Sequence, residues 1–247
     1  MSLIKDKKEI QIMDENRKIL AEVLAEVQKM AKPGITTLEL DRASEALILK
    51  KGAKPAFKGY DNFPYSLCAS VNDVIVHGFP SNYRLKDGDV VGLDLGVLWK
   101  GYNTDMAVTV AIGNVSFEAK RLLQVTKKAL KLGIKKARSG VTTGDVGNTI
   151  QRYVEDQGYG VVRDLCGHGI GKEVHEDPQV PNYGQRHKGM ELKEGMVICI
   201  EPMVTMGKYQ LRKARDGYGF ATIDGSLSAH FEHTIVITKD GCRVLTE

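Results

Sequence analysis

The stretch 85-LKDGDVVGLDLGVLWKGYNTDMAVTV-110 decides the fold. Two apolar runs meet at Lys100-Gly101, the turn-like pair between them, which predicts a β-hairpin with a two-residue turn. Two aspartates, Asp94 and Asp105, interrupt those runs. Burying even a neutral polar group without a partner costs about 2 to 7 kcal/mol, and an unpaired carboxylate costs more. With a two-residue turn, Trp99 faces Tyr102 and Asp94 faces Ala107. Asp105 then lies diagonal to Asp94 on the same face, roughly 7 to 8 Å away at the backbone. A three-residue turn would send the two carboxylates to opposite faces.

The same words recur further along. The segment 85-LKDGDVVGLD-94 aligns without a gap with 192-LKEGMVICIE-201, which sets Asp94 on Glu201, and 105-DMAVTV-110 resembles 232-EHTIVI-237, which sets Asp105 on Glu232. Upstream, 33-PGITTLELDRASEALILKKGA-53 and 139-SGVTTGDVGNTIQRYVEDQGY-159 share a Gly, a β-branched residue and two threonines. Each follows an amphipathic helix, with Leu20, Val23, Leu24, Val27 and Met30 on one face of the first. Leu122, Leu123, Val125, Ala129 and Leu132 line the second. Thr36 and Glu39 have capping-box spacing. The expectation is an α+β chain: two halves, roughly 10–112 and 117–240, packed about a pseudo-twofold axis within a single domain spanning 1–247.

Bulk properties narrow the classes. A chain of 247 residues, 42% hydrophobic and 27% charged with 7 prolines, buries a sizeable core and is not disordered. The net charge of +4 is mild. Lysines such as those in 127-KKALKLGIKK-136 read as solvated helix faces, with weak attraction to a ribosome surface as the other reading. The four cysteines, Cys68, Cys166, Cys199 and Cys242, form no C-x-x-C pair. They read as buried thiols in a reducing cytoplasm rather than a disulfide framework. The polar N-terminus is not a signal peptide, and no apolar run approaches a membrane span.

Two convergent carboxylates need protons or cations. A shared-proton dyad is one solution, but four acids at repeat-related positions together with a histidine fit divalent cations better. Of six histidines, His168 and His175 lie in the glycine-rich 166-CGHGIGKEVHEDP-178, and His77 lies in 71-VNDVIVHGFP-80. His77-Gly-Phe-Pro80 echoes His175-Glu-Asp-Pro178. Gly and Pro place these rings on shaped loops, where functional groups concentrate. His187 and His233 read as structural.

These segments, with DLGVLWKGYNTD, CIEPM and LSAHFEHTIVIT, resemble the type I methionine aminopeptidases of the pita-bread (creatinase) fold along essentially the whole chain. The resemblance implies an antiparallel sheet with outer helices and the short bacterial form rather than type II. It also implies five metal ligands: Asp94, Asp105, His168, Glu201 and Glu232. His77 and His175 are assigned to substrate and transition-state contacts, and Tyr60, Phe63, Cys68 and Tyr218, with Phe57 nearby, to a methionine pocket. Three positions depart from the usual pattern: Val174 where an aromatic is frequent, Tyr218 where Trp is common, and His230 in place of Gln. They bear on tolerance at the second substrate residue.

On that resemblance the activity is removal of the initiator methionine from nascent polypeptide N-termini, favouring a small second residue. Two divalent metal ions, Fe(II), Mn(II), Co(II) or Zn(II), are implied, with Asp105 and Glu232 bridging them, Asp94 on one, and His168 with Glu201 on the other. A metal-bridging water is the nucleophile, Glu201 the proton shuttle, His175 the oxyanion contact and His77 the residue that orients the amide. The chain is expected to act as a cytoplasmic monomer without DNA or membrane partners. Competing readings are a creatinase-fold proline aminopeptidase or dipeptidase, a non-catalytic pita-bread protein that binds partners, and a mononuclear Fe(II) oxygenase.

Overall fold

The hairpin has the register that its turn dictates. In the computed structural model, which describes residues 3–246, strands Val90–Trp99 and Tyr102–Ala111 pair antiparallel, with Trp99 opposite Tyr102 and Asp94 opposite Ala107. Lys100 and Gly101 both have positive φ, 49° and 83°, the turn whose twist matches paired strands. Asp105 pairs with Gly96, so Asp94, Gly96, Asp105 and Ala107 share one face.

The opposite face is core. Helix α1 (Lys7–Met30) and helix α2 (Thr37–Lys50) cover it, burying Leu20, Leu24, Val27, Leu40 and Ile48 against Leu93, Leu95 and Val97. Each such side chain contributes about 1.5 to 3 kcal/mol when taken from water. The period of two therefore commits even-numbered Asp94 to the other side. Both helices start at capping boxes, Asp6 with Glu9 and Thr36 with Glu39. Met30 does not share the buried face: it is the last residue of α1, beyond the sheet, and 38% exposed.

The second half follows a matching plan. Helices α3 (Phe117–Lys136) and α4 (Thr143–Asp156) pack on a five-stranded antiparallel sheet that includes Cys166–Gly169, Glu176–Pro181, Val197–Ile200 and His233–Ile237. Leu122, Val125, Ala129, Val146 and Ile150 meet Ile198, Ile200 and Ile235 there. Leu132 is only half-buried, because the stripe runs through Leu130 and Gly133 instead. Main-chain bonds recur as well. Gly34 N–H donates to Leu85 O at 2.8 Å, and Gly140 N–H to Leu192 O at 3.0 Å. Likewise Gly88 donates to Ile112 at 2.9 Å and Gly195 to Ile237 at 3.0 Å.

The halves are sewn together beside the hairpin. Glu232 N–H donates to Ala107 O at 2.9 Å. Asp105 N–H donates to Thr234 Oγ1 at 3.0 Å, and the Thr234 hydroxyl donates back to Asp105 O at 2.8 Å. Asn103 Nδ2 reaches the carbonyls of Gly171 and Lys172 at 3.1 and 2.9 Å. The site forms along this seam.

Candidate metal centre

Five side chains converge on the seam. Asp94 and Asp105 come from the hairpin, Glu201 follows Val197–Ile200, Glu232 precedes His233–Ile237, and His168 lies in Cys166–Gly169. All five are 2–8% exposed. Carboxylate oxygens of Asp94, Asp105 and Glu232 lie within 4.8 Å of one another. His168 Nε2 is 3.5 Å from Glu201 Oε1 and 4.0 Å from Glu232 Oε1.

Local sequence explains how His168 gets there. A Cβ on Gly167 would sit 2.3 Å from Cys199 O, and one on Gly169 would sit 2.0 Å from Asp177 O, so only glycines let this strand press so close to its neighbours. His168 Nδ1 lies 2.9 Å from Gly169 O. A carbonyl only accepts, so Nδ1 carries the proton and the Nε2 lone pair faces the acids.

The electrostatics are unfavourable without a cation. Burial first, and mutual repulsion second, lift Asp94, Glu201 and Glu232 well above the carboxylate range. Burial pushes Asp105 up to about 7. Burial also holds His168 down to about 3, so it is neutral and ligand-ready. Asp94 Oδ1, Asp105 Oδ1 and Glu232 Oε1 are buried without a hydrogen-bond partner. Buried acceptors are normally satisfied. Four oxygen-bearing groups and an imidazole with unspent lone pairs are the donor set of a divalent cation, so the residues fit such a centre.

Beside them opens a cavity of about 310 Å³. Every residue expected in the site lines it: the five above with His77, His175, Tyr60, Phe63, Cys68 and Tyr218. Phe57, Phe63 and Cys68 form its buried apolar wall beside partly buried Tyr60 and Tyr218, and Val174 and Phe79 pack against these side chains in the same apolar cluster. Phe79 and Tyr218 stack at 4.9 Å. The Asp216 carboxylate fixes this corner, accepting from the N–H groups of Phe79, Tyr218 and Gly219 at 2.9 Å each. His77 has φ 58°, an uncommon left-handed conformation for a non-glycine residue. Burial, then the nearby His175 and Lys213, lower His77 to about 4. The His175 ring stands perpendicular to His168 at 4.4 Å, and its Nδ1 is 3.0 Å from Tyr60 Oη.

Some neighbours were given no site role from the sequence. Asp61, Lys213 and Phe220 line the cavity as well. Cys199 brings Sγ within 4.8 Å of ligand atoms of His168 and Glu232. His230 Nε2 lies 3.4 Å from Glu201 Oε2. The usable signal was the matched spacing: Cys199 precedes Glu201 by two and His230 precedes Glu232 by two, with each glutamate just past the end of its strand. His187, with a side chain 83% exposed, and His233, whose Nδ1 is 3.0 Å from Thr246 Oγ1, do not line the cavity.

The sequence profile of Metallopeptidase family M24 matches residues 11–239. The chain belongs to this family. It is 48% identical to a methionine aminopeptidase of Clostridium perfringens, over 100% of this chain and 99% of the relative. It is 45% identical to methionine aminopeptidase 1 of Bacillus subtilis, with the same coverage. Among solved structures, methionine aminopeptidase from Thermotoga maritima superposes with TM-score 0.97 at 42% identity, covering 99% of this chain and 98% of that one. Prolidase from Pyrococcus furiosus superposes with TM-score 0.81 at 27% identity, covering 99% of this chain and 65% of that one. The fold is the pita-bread architecture shared by these peptidases.

Proposed function

We infer that this chain is a methionine aminopeptidase, hydrolysing the peptide bond that follows an N-terminal methionine. The observation that carries the reading is the meeting of four buried carboxylates and His168 with an apolar aromatic cavity at the seam of the two halves. We read those halves, roughly 10–112 and 117–240, as copies of one unit in a single catalytic domain. The recurring main-chain bonds at Gly34 and Gly140, and at Gly88 and Gly195, support this.

Asp94, Asp105, His168, Glu201 and Glu232 would hold two divalent cations. When bound, such ions make water nucleophilic near neutral pH and polarise the scissile carbonyl. The remaining work belongs to the chain. Phe57, Phe63, Cys68 and Tyr218 give the methionine side chain an apolar, polarisable wall. Glu201, whose proton affinity burial raises, accepts the proton of the attacking water and delivers it to the leaving amine. Tyr60 Oη stands 3.0 Å from His175 Nδ1, and in the tautomer with its hydroxyl as donor the imidazole proton sits on Nε2, a donor for the developing oxyanion. His77, held by its left-handed backbone, orients the scissile amide. The substrates are nascent polypeptide N-termini, and free buried thiols at Cys68 and Cys199 suit a reducing cytoplasm.

Purified protein supplied with Fe(II), Mn(II) or Co(II) should release methionine from Met-Ala and Met-Gly peptides, read by mass spectrometry. N-formylated peptides should stay intact. Absence of release with every metal overturns the assignment.

A further inference from the structure

His230 Nε2 is a buried nitrogen without a hydrogen-bond partner, on a side chain 3% exposed. It lies 3.4 Å from Glu201 Oε2 and 3.9 Å from Glu232 Oε2. His168 approaches the other oxygen of each carboxylate, at 3.5 Å from Glu201 Oε1 and 4.0 Å from Glu232 Oε1. The two glutamates therefore stand between two imidazoles, one on each side. The backbone of His230 is clamped there. Its N–H donates to Thr109 Oγ1 at 2.9 Å, and the Thr109 hydroxyl donates to its carbonyl at 2.7 Å. Strand pairing with Met203 holds the same residue from the other edge.

A neutral imidazole has one N–H, and the carboxylates facing Nε2, once ionised as cation-holding groups are, can only accept. We propose that His230 is a positioning residue whose Nε2–H donates to Glu201 Oε2, holding that carboxylate so that Oε1 is presented beside His168. It acts through Glu201 and does not touch substrate. The proposal rests on the metal-centre reading above. Partners that orient a ligating carboxylate typically change metal affinity by about 10–100-fold when lost. A glutamine at this position would also supply an N–H donor, whereas leucine would fill the space and donate nothing. Asparagine would stay polar but fall short of Glu201.

The test is calorimetric titration of the EDTA-stripped chain with Mn(II), comparing wild type with His230→Gln, His230→Leu and His230→Asn, each with its circular dichroism and melting temperature. Leu and Asn variants should bind Mn(II) about 10–100-fold more weakly, and Gln should stay near wild type. Wild-type affinity in the folded Leu or Asn variant overturns the proposal. So does a Gln variant as weak as Leu, because the imidazole would then be needed as a ligand itself. Failure of the wild-type chain to bind Mn(II) overturns the metal-centre reading and this proposal with it. Should the Leu variant not fold, the Gln and Asn pair decides the question.

Discussion

Asp105→Asn should stabilise the metal-free chain, and the gain should grow as pH rises. Burial holds Asp105 up to about 7, against 3.8 for an ordinary aspartate. Between those values the folded state keeps a proton that the unfolded chain has released, so stability falls as pH climbs. Below the lower value both states are protonated and the penalty vanishes. At about 1.4 kcal/mol per tenfold in proton affinity, the full span amounts to about 4 kcal/mol. Asparagine keeps the shape without the charge, and it also relieves Asp94, Glu201 and Glu232, each raised in part by Asp105. Urea denaturation of EDTA-treated parent and variant, from about pH 4.5 to about pH 7.5, should show their difference widening by several kcal/mol. Taking the difference cancels groups such as Asp145, whose lowered carboxyl loses stability in acid in both proteins. With Mn(II) at about a hundredfold excess over its Kd, the parent should recover about 2.7 kcal/mol that the variant does not. A difference that is flat or shrinks with pH refutes the reasoning.

Tyr60→Phe removes the hydroxyl 3.0 Å from His175 Nδ1. Steady-state kinetics on a Met-Ala peptide should show kcat down by roughly tenfold, the worth of about 1.4 kcal/mol, with KM changing less. Gly96→Ala puts a Cβ 2.6 Å from Phe57 Cε1 and 2.9 Å from Ala56 Cβ. Overpacking of that kind costs about 1 to 3 kcal/mol, and Phe57 moves at the cavity wall, so melting temperature should drop and KM for methionyl peptides rise. An unchanged KM would mean that Phe57 does not bound the pocket. Gly169→Ala drives a Cβ to 2.0 Å from backbone Asp177 O, so the folded fraction should bind Mn(II) weakly in calorimetry, with His168 displaced.

The hairpin was legible because two local facts determine it. The Lys100-Gly101 turn sets the register, and the period of two then sets the faces. Helix starts were legible too, since Thr36 with Glu39 satisfies orphan N–H groups within four residues. Periodicity overreached where an element outruns its partner, as at Met30, and where small residues carry the stripe, as at Gly133 beside Leu132. His230 was noted only as an unusual residue, because the strand that carries it ends there and its spacing from Glu232 does not give its face. What it faces depends on Thr109 from the other half. The Thr234–Asp105 bonds span 129 residues and leave no local mark in either segment.

Those cross-half bonds explain why a chain would accept four buried acids at such a cost. Asp105 and Glu232 stand on opposite sides of the seam, yet Thr234 fixes the backbone of Asp105 and Ala107 fixes that of Glu232. The carboxylates are thus held together by main-chain geometry on rigid strands, before any cation arrives to favour their approach. Left to themselves they would separate or take up protons, as their raised proton affinities show. Packing of α1 and α2 on one sheet and α3 and α4 on the other supplies the opposing stability. On the proposed metal-centre reading, the free energy spent in crowding the acids would reappear as affinity for a divalent ion, which when bound makes water nucleophilic near neutral pH.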